Sequence, residues 1–392
     1  MEIDRLETLR ALLEDPGSGP PQSLTGLRLQ DLDLHAVESQ LLARTDVTGL
    51  VVLGGRLSPD LSLHLVQHGA IVFPRDPHAP VSVYRSRLYT ADELYAGLSS
   101  PGGYAGTPDA RAHEWTIQAP SGQDAYVAML RAIHDESMTD ALGEALAGLP
   151  VAGVMGGHSA QRGSHVYAAA TRLGHTLAET GLVVATGGGP GAMEAANLGA
   201  YATDAAAMAR AVSRLAQVPG FRPDVGEWAR TGLAIRDQLC GPEPDRPLRS
   251  VGIPTWFYGH EPPNVFAQGV AKYFSNALRE DGLIARCTAG IIVLQGAAGT
   301  VQEVFQIATR LFYERVGPGG TAARRVDESV GQVNGGPHRD GPLPPLVLVG
   351  IDYWNRVLPA WPLLLTLGAD RPMGEVIHLV DTVEEAAELV TG

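Results

Sequence analysis

The sequence has few of the side chains on which several kinds of protein chemistry depend. It contains one lysine, Lys272, and no G-K-[ST] motif, which excludes a P-loop NTPase. A cofactor held by a lysine, such as pyridoxal phosphate, would depend on Lys272, and we expect none. The two cysteines, Cys240 and Cys287, cannot form a disulfide framework, and their spacing fits no metal site. The sequence therefore predicts a cytoplasmic protein that needs neither a metal nor another cofactor.

Long hydrophobic runs and an excess of positive charge are also missing. The most apolar region, 343–367, is interrupted by Asp352, Arg356 and several prolines, so we expect no membrane partner. The net charge of −14 argues against a nucleic-acid polymer, because proteins that bind one present a basic surface to its phosphates. A mononucleotide is still compatible, since N–H groups at a helix start and one arginine can hold a single phosphate.

Short apolar strands alternate with helices and glycine turns along much of the chain. This pattern predicts an α/β protein with a Rossmann-like, doubly wound parallel sheet in residues 146–392. Residues 1–145 are expected to form an additional N-terminal α/β accessory domain. We predict strands at 49–55, 70–74, 152–157, 182–186, 251–256, 290–294, 346–351 and 376–380, helices at 91–98 and 125–146, an extra helix pair within 203–247, and a mobile surface excursion at 317–345.

A first glycine turn, 187–191, stands between a predicted strand and a predicted helix. Glycine lets the backbone approach a phosphate closely, and the helix start offers N–H groups with a favourable dipole. A tight turn without a ligand is equally compatible with this pattern. The turn also fits G-x-G-x-x-A through Gly187, Gly189 and Ala192, but no acidic residue ends the following strand, which leaves an NAD(P) oxidoreductase as a weaker alternative.

A second turn, 295–299, precedes a helix whose apolar positions form one stripe. Glu303 falls roughly opposite this stripe, so the sequence predicts that it faces away from the core. The pattern Thr300-x-x-Glu303 also fits a capping box, in which both side chains bond to N–H groups at the helix start. A carboxylate at such a helix start is well placed for a ligand, and both roles are compatible.

Together the two turns resemble those of the LONELY GUY (LOG) family of nucleoside 5'-monophosphate phosphoribohydrolases. The resemblance covers about residues 150–392, from the opening Gly153-Val-Met-Gly-Gly-His-Ser159 to Gly296-x-x-Gly-Thr-x-x-Glu303. The form GGGPGAMEAANLGA is closer still to the larger bacterial pyrimidine/purine nucleotide 5'-monophosphate nucleosidases, which also carry an N-terminal domain.

The resemblance implies a function and a set of site residues. It implies hydrolysis of the N-glycosidic bond of nucleoside monophosphates, with Glu303 and Arg279 as catalytic residues and Arg286 as an alternative to Arg279. It also implies a homodimer or higher homo-oligomer. The substrate-binding residues that it implies are Gly156, Gly157, Ser159, Gly187, Gly188, Gly189, Gly191, Met193, Glu194, Gly296, Gly299 and Thr300. Trp256, Phe257, Tyr258 and His260 follow a strand, and we consider them for stacking on the base or for packing.

The second turn departs from the family pattern P-G-G-x-G-T-x-x-E. This chain has Gln295-Gly296-Ala297 in place of Pro-Gly-Gly. If position 297 needs a positive φ, alanine there costs on the order of 1 kcal/mol or displaces the ligand. The departure motivates an alternative function, a nucleotide-binding sensor or carrier without turnover.

Overall fold

The computed structural model describes residues 2–14, 23–117, 124–239, 247–258, 261–313 and 342–392. Most of the excursion at 317–345, together with Cys240 and His260, lies outside these residues. Within the described part, no helix is long and apolar enough to cross a membrane.

The N-terminal part of the chain forms a small parallel sheet with its own core. The elements are β1 (Glu2–Ile3), α1 (Leu6–Leu13), β2 (Arg28–Gln30), a 3-10 turn (Leu34–Val37), α2 (Glu38–Leu42), β3 (Val51–Leu53), α3 (Pro59–Gln67) and β4 (Ile71–Phe73). The strand order is β1-β2-β3-β4. Two of these strands were predicted, whereas β1 and β2 are too short to give a clear period in the sequence. Leucine and valine side chains from 3–70 form the core of this sheet.

The next elements are helical and contribute to the core of the larger sheet. They are α4 (Ala91–Leu94), a 3-10 turn (Gly103–Gly106), α5 (Pro108–Ile117) and α6 (Ala125–Ala145). The predicted helix at 91–98 is thus only one turn long, while the helix at 125–146 is confirmed. Leu94, Ala112 and Met138 pack in the same apolar cluster as the strands of the larger sheet.

Residues from 151 onward form a seven-stranded parallel sheet with helices on both faces, which confirms the predicted doubly wound α/β fold. The elements are β5 (Val151–Met155), α7 (His165–Glu179), β6 (Val183–Thr186), α8 (Ala192–Tyr201), α9 (Ala205–Leu215), α10 (Val225–Leu239), β7 (Ser250–Gly252), β8 (Gly269–Val270), α11 (Asn276–Arg286), β9 (Gly290–Val293), α12 (Ala298–Tyr313), β10 (Leu346–Val349), a π-helical turn (Tyr353–Val357), α13 (Trp361–Gly368), α14 (Met373–Val376), β11 (Ile377–Val380) and α15 (Val383–Thr391). The strand order is β11-β10-β9-β5-β6-β7-β8. The predicted strand at 251–256 is shorter than expected, and α9 and α10 are the expected extra helix pair.

Helices α7 and α8 pack unusually close together because glycine lines their contact. A Cβ on Gly174 would collide with the carbonyl oxygen of Ala196, and one on Gly199 would collide with that of Thr171. Side chains larger than hydrogen would push the helices apart, which closely packed interiors resist. This contact fixes the position of α8, and therefore of the glycine turn that precedes it.

Candidate functional site

The carboxyl ends of β9, β5 and β6 meet at one edge of the large sheet, and each strand is followed there by a glycine turn. The N–H of Gly157 donates to the carbonyl of Gln295 (3.1 Å), and the carbonyl of Gly157 accepts from the N–H of Ala192 (3.2 Å). The chain continues from β5 to β6 on one side, whereas β9 lies on the other. Ligands of open α/β sheets bind at such a switch point. We call the edge formed by the turns at 156–157, 187–191 and 296–299 the glycine edge.

Several glycines of this edge are required by the backbone itself. Gly188 and Gly191 have φ values of 72° and 75°, a region that favours glycine. A Cβ on Gly157 would lie 3.3 Å from Cα of Gly296, and one on Gly156 would lie 3.0 Å from Cβ of Ala192. Close contact between the turns therefore explains these glycines with or without a ligand.

Arg279 and Glu303 form a buried ion pair beside the first glycine turn. Nη1 of Arg279, on α11, lies 2.9 Å from Oε1 of Glu303, on α12. A Cβ on Gly187 would lie 3.3 Å from Nη2 of the same arginine. The Nε atom of Arg279 is buried and has no hydrogen-bond partner among the described residues. The structure thus brings together both residues that the sequence predicted as catalytic, with Nη2 of Arg279 facing the Gly187 turn.

Burial raises the pKa of Glu303, and the charge and hydrogen bond of Arg279 oppose this shift. The predicted capping box is wrong, because α12 begins at Ala298 and Thr300 therefore lies inside its first turn. The carboxylate of Glu303 accepts from Arg279 rather than from the helix start. It is also buried, with only 8% of the residue exposed, on the same helix face as Val304 and Ile307, so the prediction that it faces away from the core is wrong. Its partner is a charged group, which is typical of a buried carboxylate.

The start of α12 is exposed at Ala297, Ala298 and Gly299. Among the described non-glycine residues only Asp31 and Asp370 have positive φ, so Ala297 carries none of the backbone strain considered from the sequence. Thr300 is buried, and a Cβ on Gly296 would collide with its side chain.

Glu194, a predicted substrate-binding residue, forms a second buried ion pair. Nε of Arg162 donates to both of its carboxylate oxygens at 3.1 and 3.0 Å, and both side chains are 1% exposed. Arg162 also donates to the carbonyl of Trp228 and lies 4.6 Å from the centre of its ring. Met193 packs beneath the turn, where Cβ atoms on Gly187 and Gly189 would lie 2.7 and 3.0 Å from its side chain.

His158 and Glu261 form a third pair, at the outer rim of the glycine edge. Nδ1 of His158 lies 3.1 Å from Oε1 of Glu261, and this hydrogen bond raises the pKa of the histidine. Oε2 of Glu261 would lie 3.5 Å from a Cβ on Gly189. Among the described residues, no group of three or more His, Cys, Asp or Glu side chains could hold a metal ion.

A cavity of about 410 Å³ adjoins the far end of the first glycine turn. Its lining includes Ser159, Gly191 and Glu194, all predicted to bind substrate, together with His158, Phe221 and Arg222. Arg279 and Glu303 are not part of this lining. The predicted site residues therefore fall into two adjacent groups, one around the Arg279–Glu303 pair and one around the cavity.

Other candidates lie elsewhere. Arg286 donates to the carbonyl of Thr139, on α6, so the structure favours Arg279 over it as the partner of Glu303. Trp256 is buried in the core, where Nε1 donates to Asp109 (2.8 Å). Phe257 and Tyr258 are exposed and pack edge to face against each other.

Sequence reasoning missed three residues of this region, Arg162, Glu261 and Tyr353. The hydroxyl of Tyr353 donates to the carbonyl of Gly296. Each meets a glycine turn or Glu194 from a distant part of the chain, so no local pattern marks it. Glutamate in the first turn of α8 was a signal that a cationic partner was needed, since that helix, apart from Asn197 and Tyr201, is otherwise apolar and buried.

Comparison with known proteins places one part of the chain in a wider group. No curated protein matches the chain. Residues 149–209 match the model of the SLOG cluster4 family. The matched segment runs from β5 into α9 and contains the turns at 156–157 and 187–191, but it ends before Arg279 and Glu303. The segment that carries the first two glycine turns is therefore similar to SLOG-type proteins.

Proposed function

We propose that the chain hydrolyses the N-glycosidic bond of nucleoside 5'-monophosphates to free base and ribose 5-phosphate. The observation that carries this proposal is the buried Arg279–Glu303 pair, which lies against the Gly187 turn at the switch point of the sheet. The SLOG match over 149–209 supports a nucleotide-related function of the same edge.

The exposed start of α12 supports a phosphate site beside this pair. Gly299 is exposed, its φ is not positive, and a Cβ there would meet nothing within 4 Å. A helical glycine without such a requirement costs roughly 0.5–1 kcal/mol relative to alanine. Close approach of a ligand explains the residue, because N–H groups at a helix start bind phosphate oxygens.

The proposed chemistry uses the two charges of the pair in different ways. Departure of the base builds positive charge on the ribose, and the carboxylate of Glu303 stabilises that charge. The same carboxylate takes a proton from the attacking water, whose oxygen bonds to C1' of the ribose. The electrons of the broken C1'–N bond leave with the base, which takes a proton from solvent, and Glu303 returns the proton of the attacking water to solvent. Arg279 holds the substrate through Nη2, which faces the Gly187 turn, and orients Glu303 through Nη1.

A nucleotide sensor or carrier without turnover is the second candidate. The exposed methyl of Ala297 favours it, because this methyl lies at the helix start where the phosphate would bind. The sensor would bind monophosphates through the same turns and would release no base.

Incubation of the purified protein with AMP, GMP, IMP, CMP and UMP tests the proposal, with free base and ribose 5-phosphate followed by chromatography. Glu303→Gln should lower base release by about 10²–10⁴-fold, the usual contribution of a general base. Glu384→Gln is the matched control, since Glu384 pairs with Arg172 on the exposed surface at 3.3 Å. Equal release by Glu303→Gln and the parent protein would refute the role of Glu303. Binding without release by the parent would favour the sensor.

A further inference from the structure

The first glycine turn connects two places that a single nucleotide could occupy together. Gly187 lies against Arg279 at one end of the turn, and Gly191 lines the 410 Å³ cavity at the other end. Five residues span at most about 17 Å even when fully extended. The cavity is within the size range of small-molecule sites, roughly 300–1,000 Å³. A ligand whose ribose lies beside Glu303 can therefore extend into the cavity.

The walls of the cavity suit a flat aromatic group. The rings of His158 and Phe221 meet edge to face at 6.5 Å, and Trp228 packs behind Phe221 at 6.4 Å. The guanidinium of Arg222 lies 5.7 Å from the centre of the Phe221 ring. Aromatic rings and guanidinium groups are the surfaces on which nucleobases stack.

The acidic groups at the cavity are paired within the protein. Glu194, which lines it, is 1% exposed and accepts hydrogen bonds from Nε and Nη2 of Arg162. Glu261 pairs with His158 and is not part of the lining. The aromatic rings and the guanidinium of Arg222 are therefore the surfaces that a base would contact.

We propose that this cavity binds the base of the nucleotide, stacked on the ring of Phe221 and the guanidinium of Arg222. The inference rests on the proposed function for the placement of the ribose beside Glu303. The exposed Phe257–Tyr258 pair is the competing place for the base. Those two side chains are 57% and 45% exposed and line no part of the cavity, so the observations favour Phe221.

Calorimetric titration of the Glu303→Gln protein, which should turn over slowly and whose fold is checked by circular dichroism, tests the inference. CMP should bind, and its affinity in this background is the reference for each variant. Phe221→Ala in the same background should weaken CMP binding about tenfold or more, which is within the range of lost base stacking. Phe257→Ala is the matched control and should change it less than twofold.

Ribose 5-phosphate, which lacks a base, separates a stacking role from a general loss of the site. Ribose 5-phosphate should bind with the same affinity to the Glu303→Gln protein with and without the Phe221→Ala substitution. Phe221→Leu, which keeps apolar volume without a flat ring, should give an intermediate loss for CMP and guards against misfolding of the alanine variant.

The inference is overturned if Phe257→Ala weakens CMP binding instead, if Phe221→Ala weakens ribose 5-phosphate binding equally, or if CMP does not bind. Base release by the protein with Glu303 intact is a separate measurement. If CMP binds as expected but the protein with Glu303 intact releases no base, the proposed nucleosidase activity is refuted and the proposed base site is not.

Discussion

Replacing Gly299 by alanine should make the protein more stable and its nucleotide site weaker. The residue lies in the first turn of α12, its φ is not positive, and an added methyl would meet no atom within 4 Å. Alanine has the higher helix propensity and lowers the conformational entropy of the unfolded chain. We therefore expect a gain of up to about 1 kcal/mol in the free energy of unfolding.

The same methyl would occupy the space through which a phosphate reaches the N–H groups of the helix start. Loss of one such contact, about 1.4 kcal/mol, corresponds to a tenfold weaker binding of AMP or CMP. Stability and affinity should thus change in opposite directions, which a misfolded variant would not produce.

Urea unfolding followed by tryptophan fluorescence gives the first quantity, and calorimetric titration gives the second. Gly106→Ala is the matched control, since Gly106 also has no atom within 4 Å of an added Cβ and lies in a 3-10 turn. It should leave nucleotide affinity unchanged. Unaltered affinity in Gly299→Ala would refute the placement of the phosphate at this helix start.

Two further predictions concern the buried charges. Burial raises the pKa of Glu303 from its usual value near 4.5, so kcat/KM for base release should increase with pH through that raised pKa. Glu280→Gln removes a neighbouring negative charge and should move this acidic limb of the pH profile to lower pH. A limb that does not move would have to be assigned to another group. Arg162→Met leaves Glu194 buried without its cation and should lower the free energy of unfolding by about 3–5 kcal/mol, against less than about 1 kcal/mol for Arg172→Met on the surface. Urea titration of both variants compares the losses, and equal losses would contradict the assigned role of burial.

The sheet and its glycine turns could be predicted because their signals are local. Strands such as β9 are continuous apolar runs, and the turns that follow them are rich in glycine. The same holds for the α9–α10 pair, whose presence followed from the length of 203–247. The pairing of Arg279 with Glu303 was suggested by a family resemblance, and the structure brings these two side chains within 2.9 Å.

The predictions that failed, and the contacts that were missed, depend on where the chain folds back on itself. The capping box at Thr300 was wrong because the helix starts two residues earlier, a boundary that sequence patterns locate poorly. Arg162 reaches Glu194 across 32 positions, and Glu261 meets His158 across an even longer separation. Neither contact follows from periodicity or spacing, since each joins side chains that are far apart in the sequence.

The burial of Lys272 has a practical consequence for measuring motion in this protein. Its Nζ is bonded to Asp109 (2.7 Å), the residue is 2% exposed, and the sequence contains no other lysine. All other cationic side chains that a surface reagent meets are guanidinium or imidazole groups. An amine-specific reagent can therefore modify a side chain only when the interior around Asp109 opens. The rate of that single modification reports one local opening equilibrium, read by mass spectrometry without any engineered label.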